Sequence, residues 1–204
     1  MNIKRGKGLI TARQEKEGTR QKKKEKVIGE RNRIALAYLE LAGDKTFQNL
    51  AADKKMALVK QVLVIGDEAA RQILAEHKTH DPRRIASNLG VKVLGGEKGK
   101  GAQYQKNKKE ITVYRNFHER LLREVKSAQL SEHLIKSLVA HELFHFLEDN
   151  QIGEVYKRFK FENWRFGPYV RETYIKGLSD VAAQAFTQTL LGLQLSPQVF
   201  NYML

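Results

Sequence analysis

The sequence predicts an α+β domain, mostly helical, with a small sheet of about three antiparallel strands. Two patterns carry that prediction. Apolar residues recur at helical spacing over long stretches before residue 80 and after residue 116. Between them, residues 91–114 hold three short alternating runs punctuated by glycine. The chain has 204 residues and shows no internal repeat.

The elements follow in order. From Glu30 to Ala42, Ile34, Leu36, Ala37, Leu39 and Leu41 repeat helically, and Gly43 stops the run. A longer helix is expected from about Thr46 to Glu76, with Leu50, Met56, Val59, Val62, Leu63, Ala69, Ile73 and Leu74 on its apolar face and Gly66 as a candidate break. Asp81 reads as an N-cap with Pro82 at the first helical position, for a short helix that Gly90 closes. Strands are expected over Val91–Leu94, Ala102–Gln105 and Ile111–Tyr114, with a turn at 106–109. After Asn116 the pattern is helical to the C-terminus, with helix starts at Ser131 and Ser179.

Charge divides the chain unevenly. Residues 1–35 hold 12 Lys and Arg against 4 Glu, a net +8 of the total +14. That stretch has almost no apolar periodicity, so a disordered basic arm is expected over 1–35, either a solvated tail or an electrostatic arm for nucleic acid. Residues 36–80 are then a helical segment packing on a domain over 81–204. The absence of cysteine excludes disulfide frameworks, Cys-ligated metals and thiol nucleophiles. No apolar run approaches the roughly 18 residues of a membrane span, and the basic N-terminus lacks the apolar core of a signal peptide. A soluble cytoplasmic protein with no membrane partner is the expectation.

The chemistry concentrates on one helix. Leu134, Leu138, His141, His145 and Glu148 are spaced 4, 3, 4 and 3 residues apart, which puts them on one face. Val139, Leu143, Phe144, Phe146 and Leu147 surround them, so the ionisable groups face a packed interior or a cleft and need partners. Two histidines four residues apart can aim ring nitrogens at a single point about 2 Å from each, as a zinc ion requires. Glu142, one residue past the first histidine, is rotated by roughly a quarter turn, beside such an ion rather than on it. There its carboxylate is placed to accept a proton from a water that Zn2+ activates. His141-Glu142-Leu143-Phe144-His145 is thus an HExxH motif. A catalytic zinc needs a third ligand. Position 148 is Glu and no histidine follows, so the ligand is a carboxylate: Glu148, Glu172 or Asp180. Spacing leaves the three open. Glu148 and Glu172 read equally well as an acid orienting a histidine or as a surface charge, and Asp180 as a first-turn acid of its helix.

The stretch from about Asp81 to Leu191 resembles the ImmA/IrrE family of zinc metallopeptidases. The resemblance rests on an ordered set: Asp81-Pro82 with Leu89-Gly90-Val91-Lys92-Val93, then Glu110-Ile111-Thr112-Val113, then Val139-Ala140 leading into the HExxH motif, and finally Asp180-Val181-Ala182-Ala183-Gln184-Ala185-Phe186. It implies a zincin-like metallopeptidase fold, with His141, His145 and Asp180 as zinc ligands and Glu142 as general base. Two positions depart from the family: Asp180 stands where Glu is usual, and Gln184 where Asn is usual. The implied function is a zinc-dependent endopeptidase of narrow specificity, cleaving a helix-turn-helix transcriptional repressor in a phage, mobile-element or stress circuit. Its substrate would lie along an edge strand at Ile111, Thr112 and Val113. The alternative is a nucleic-acid-binding protein of a mobile element that uses the zincin-like fold as a scaffold.

Overall fold

The computed structural model describes residues 29–125, 127–166 and 169–194. Residues 1–28 of the basic arm lie outside the described residues. Residues 29–41 form the first helix, α1, so the helical chain begins before the expected boundary at 35. Its Arg33 makes a bidentate pair with Asp67 at 2.7 and 3.2 Å. Asp67 also accepts from Thr189 Oγ1 at 2.5 Å. One carboxylate thereby ties three helices together, and its partners are partly shielded from water, where such pairs are strongest.

The single helix expected from Thr46 to Glu76 is two. A short α2 (Lys45–Gln48) is capped by Asp44, whose side chain accepts from Phe47 N. The long α3 (Ala52–His77) then runs unbroken through Gly66. Gly66 is not a break but a contact point with a later helix, α7 (Gly177–Leu191). A Cβ at position 66 would lie 2.2 Å from Ala182 O and 2.9 Å from Phe186 N. Only a residue without a side chain lets the two backbones approach this closely. Helix propensity alone makes Gly66→Ala stabilising by about 1 kcal/mol. The obstacles are backbone atoms, which yield only by moving a helix, so overpacking decides the sign. The expected result is a loss of about 2 kcal/mol, read as a melting temperature lower by about 4–8 °C; a higher melting temperature would refute the close-packing account.

Asp81 and Pro82 open α4 (Pro82–Asn88) as the sequence indicates, with Asp81 Oδ1 accepting from Arg83 N. Three strands follow: β1 (Lys92–Gly96), β2 (Ala102–Gln105) and β3 (Glu110–Tyr114). Their order in the sheet is β1-β3-β2. β2 pairs antiparallel with β3, but β1 pairs parallel with it, so the sheet is mixed rather than antiparallel. The glycine-rich loop between β1 and β2 is the cause. Gly96 and Gly99 lie so close to the Tyr114 ring that a Cβ would fall 2.8 and 2.3 Å from it. Asn116 pins the loop by bonding both Gly99 N and Gly99 O at 3.1 Å. The loop therefore crosses over the end of β3, and β3 enters between the other two strands. This corrects a second expectation: Ile111, Thr112 and Val113 lie on the central strand, with both edges paired, and are not an edge for substrate. The edges belong to β1 and β2.

α5 (Arg115–Val125) and α6 (Ala128–Leu147) complete the middle of the chain. α6 starts earlier than expected. Ser127, not Ser131, caps it by accepting from Leu130 N, and Ser131 is buried within the helix. A π-helical turn at Glu148–Ile152 ends it. The expected unbroken helicity then fails. Two further strands, β4 (Phe161–Phe166) and β5 (Tyr169–Thr173), pair antiparallel. The aromatic and β-branched residues of this stretch, around Gly167-Pro168, favour strands. α7 begins at Gly177, so Ser179 is inside the helix rather than its cap.

The main core cluster lies where α3, α6 and α7 meet, and a smaller one gathers around Leu134 and Ile135 of α6. Phe144 and Phe186, both fully buried, pack ring to ring at 5.4 Å and fix α6 against α7. Among the described residues, no helix is long and apolar enough to cross a membrane.

Candidate metal centre

The Phe144–Phe186 contact sets what happens beside it. His141 and His145 lie on the same α6 face, one turn apart, and Asp180 lies in the first turn of α7. Packing the two helices brings Asp180 against the histidines. His141 Nε2 and His145 Nε2 are 3.2 Å apart. Asp180 Oδ1 is 3.7 Å from the first and 3.5 Å from the second. Tetrahedral zinc with bonds of about 2.0–2.1 Å holds its ligand atoms about 3.3–3.4 Å apart. The observed triangle has that size, so these residues fit a metal ion. The aspartate, one methylene shorter than a glutamate, spans the distance because α7 starts directly against α6. Asp180 is 46% exposed, and that side of the triangle is open to solvent and to a fourth ligand.

The other two acids stand elsewhere. Glu172 on β5 pairs with Lys160 at 2.8 Å and is exposed. Glu148 is only 5% exposed and faces the opposite nitrogen of His145, with Oε2 2.9 Å from Nδ1. Its Oε1 accepts from Val155 N at 2.8 Å and from Ser179 Oγ at 2.5 Å. Glu148 thus joins α6, the turn after it and α7. With Nδ1–H donating to this carboxylate, the Nε2 lone pair of His145 points into the triangle. The ordering of His145 by Glu148 is the carboxylate–histidine pairing that raises ligand basicity. Glu148→Ala is expected to weaken zinc binding by about 10- to 100-fold without abolishing it; unchanged affinity in a zinc titration would refute the role.

Electrostatics favour a cation at this point. Burial opposes a charge on His145, but the carboxylates of Asp180, Glu148 and Glu142 outweigh it and push its pKa up to about 10. Burial likewise works against the Asp180 carboxylate, and the two histidines overcome it, holding its pKa below the usual range. The metal-free triangle therefore keeps a proton on His145 at neutral pH. That proton stabilises the metal-free fold fully below pH 6.5, and the contribution is lost as pH rises toward about 10. A metal ion bound there would displace it, so affinity in a zinc titration is expected to rise about tenfold per pH unit over pH 7–9. A flat profile in buffered titrations would show that no proton is exchanged.

Glu142 faces the sheet. Its Oε2 accepts from Tyr104 N of β2 at 2.7 Å. Gly101 O accepts from Tyr114 N, and alternation along an antiparallel pair then turns the backbone groups of Ala102 and Tyr104 away from β3. The carboxylate thus sits on the free edge of β2. The Lys106–Asp149 ion pair at 2.5 Å and the edge-on contact between the Tyr104 and Phe146 rings hold that edge against α6. Sequence spacing gave no sign of Tyr104, Val155 or Ser179 at this site, because each arrives from a distant element through backbone or hydroxyl groups. Tyr174, near the motif in sequence, packs edge-on against Tyr156.

No protein-family model matches the chain, and neither a curated protein nor a solved structure is significantly similar to it.

Proposed function

We propose that this chain is a zinc-dependent endopeptidase of narrow specificity in the ImmA/IrrE family, acting in the cytoplasm on a helix-turn-helix transcriptional repressor. The observation that carries the reading is the triangle of His141, His145 and Asp180 with Glu142 alongside. Hydrolysis of a peptide bond needs a polarised carbonyl, an activated water and a base, and zinc bound by three protein ligands supplies the first two. Glu142 is the base in this account. The Tyr104 N–H orients its carboxylate, which takes a proton from the attacking water and passes it to the leaving amine. Glu148 fixes the tautomer of His145, and Asp180 balances the charge of the ion.

The substrate strand belongs at β2 in this account, not at β3. Ala102 and the Tyr104 carbonyl face outward on the edge where Glu142 holds the Tyr104 N–H, so an extended peptide pairing with Ala102 and that carbonyl passes the proton acceptor. The test is cleavage in a host extract, read as new protein N-termini. Full-length protein loaded with zinc is expected to generate a small set of them, in regulatory proteins, and chelation is expected to stop it. A wide, unselective set would contradict narrow specificity.

The second reading, a nucleic-acid-binding protein on a zincin-like scaffold, rests on the +8 charge of residues 1–35. It predicts DNA binding that weakens steeply with salt and survives Glu142→Gln.

A further inference from the structure

The opposite edge of the sheet has no role in the metal centre. Among the described residues, β1 pairs only with β3. Lys92 N donates to Lys109 O, which turns Lys92, Leu94 and Gly96 toward β3 and leaves the backbone groups of Val93 and Gly95 directed outward. A cavity of about 890 Å³ opens along this edge, between β1, β3, α4 and α6. Val93, Val113 and Ile135 form its apolar floor, and Leu94 stands 45% exposed at its lip. Folded proteins usually block a free strand edge with charge, proline or a bulge. Here Lys92 is the one charged residue of the strand, and Gly95-Gly96 present no side chain against an incoming backbone.

The rim carries one sign of charge. Arg83, Lys92 and Arg115 line the cavity, and among the described residues no acidic side chain does. Arg83 pairs with Glu132 at 2.8 Å and Arg115 lies 3.9 Å from Glu97, but both pairs are exposed and so contribute little. An incoming carboxylate can exchange with them and gain bidentate geometry on either guanidinium.

We propose that this groove docks an extended acidic segment of a partner protein, which adds a strand to β1, seats alternate apolar side chains on Val93, Val113 and Ile135, and sets its carboxylates against Arg83, Lys92 and Arg115. This docking is independent of the peptidase reading, because it uses the edge of the sheet remote from Glu142.

The test uses the full chain and a fluorescein-labelled nonapeptide that alternates Val or Ile with Asp or Glu. Saturable binding is expected, with slowed amide exchange over residues 92–96. The same peptide with Lys replacing its acids is expected to bind at least tenfold more weakly. Leu94→Glu and Arg115→Glu, both at exposed positions, are each expected to weaken the acidic peptide by at least tenfold, while Glu142→Gln leaves its affinity unchanged. No saturable binding, slowed exchange at residues 102–105 in place of 92–96, or wild-type affinity in either groove variant would overturn the proposal. Saturable binding of dodecanoate, with slowed exchange over residues 92–96 and no peptide binding, would assign the groove to a lipid and overturn it equally.

Discussion

Glu142→Gln protein is expected to bind zinc as the wild type does and to cleave peptide bonds about 10²- to 10⁴-fold more slowly, the usual contribution of a positioned base. Glutamine has the same shape and keeps a carbonyl oxygen for the Tyr104 N–H, which now reaches Glu142 Oε2 at 2.7 Å. The site geometry is therefore retained and only the proton acceptor is lost. Two measurements on one preparation separate the effects: zinc by elemental analysis, and new N-termini in a host extract. Retained zinc with lost cleavage is the expected pair of results. Retained zinc with full cleavage would show that another group moves the proton. Lost zinc would place Glu142 among the ligands, against its position at the β2 edge.

The second large effect concerns the third ligand. Structural zinc sites with four protein ligands are worth about 10–16 kcal/mol, or about 2.5–4 kcal/mol per ligand, which is roughly a hundredfold to a thousandfold in affinity. Asp180→Ala is expected to show a loss of that order in a zinc titration. Glu172→Ala is expected to show none, since Glu172, on β5, is exposed and paired with Lys160. Equal zinc affinity in wild type and Asp180→Ala would remove Asp180 from the site. The two variants differ in what they touch rather than in chemistry, so they also control for the general loss of one negative charge.

What the sequence makes legible depends on distance along the chain. His141, His145 and Glu148 are recognisable as one face because a single helix relates them, and helical periodicity is local. The caps and stops at Asp81, Pro82 and Gly90 are legible for the same reason. Asp180 is different. Its approach to the histidines depends on how α6 packs on α7 through Phe144 and Phe186, which no spacing encodes, so spacing left Glu148 and Glu172 as equals and only the family resemblance favoured Asp180. The sheet order failed on similar grounds. Three alternating runs identify three strands, yet the parallel pairing of β1 with β3 comes from a glycine loop folded over Tyr114. Gly66 was misread as a break because propensity registers what glycine costs a helix, and not what a neighbouring helix requires of it. The β4–β5 pair carries a legible strand signal, aromatic residues around a Gly-Pro pair, but the helical runs on either side of it extend the helical pattern across it.

Elemental analysis of wild type and His145→Ala, prepared side by side without chelators and then supplied with zinc, tests the central claim most directly. The account predicts about one zinc per chain in the wild type and none retained by the variant. Absence of zinc from both proteins, or equal zinc in both, would contradict a metal centre at His141, His145 and Asp180.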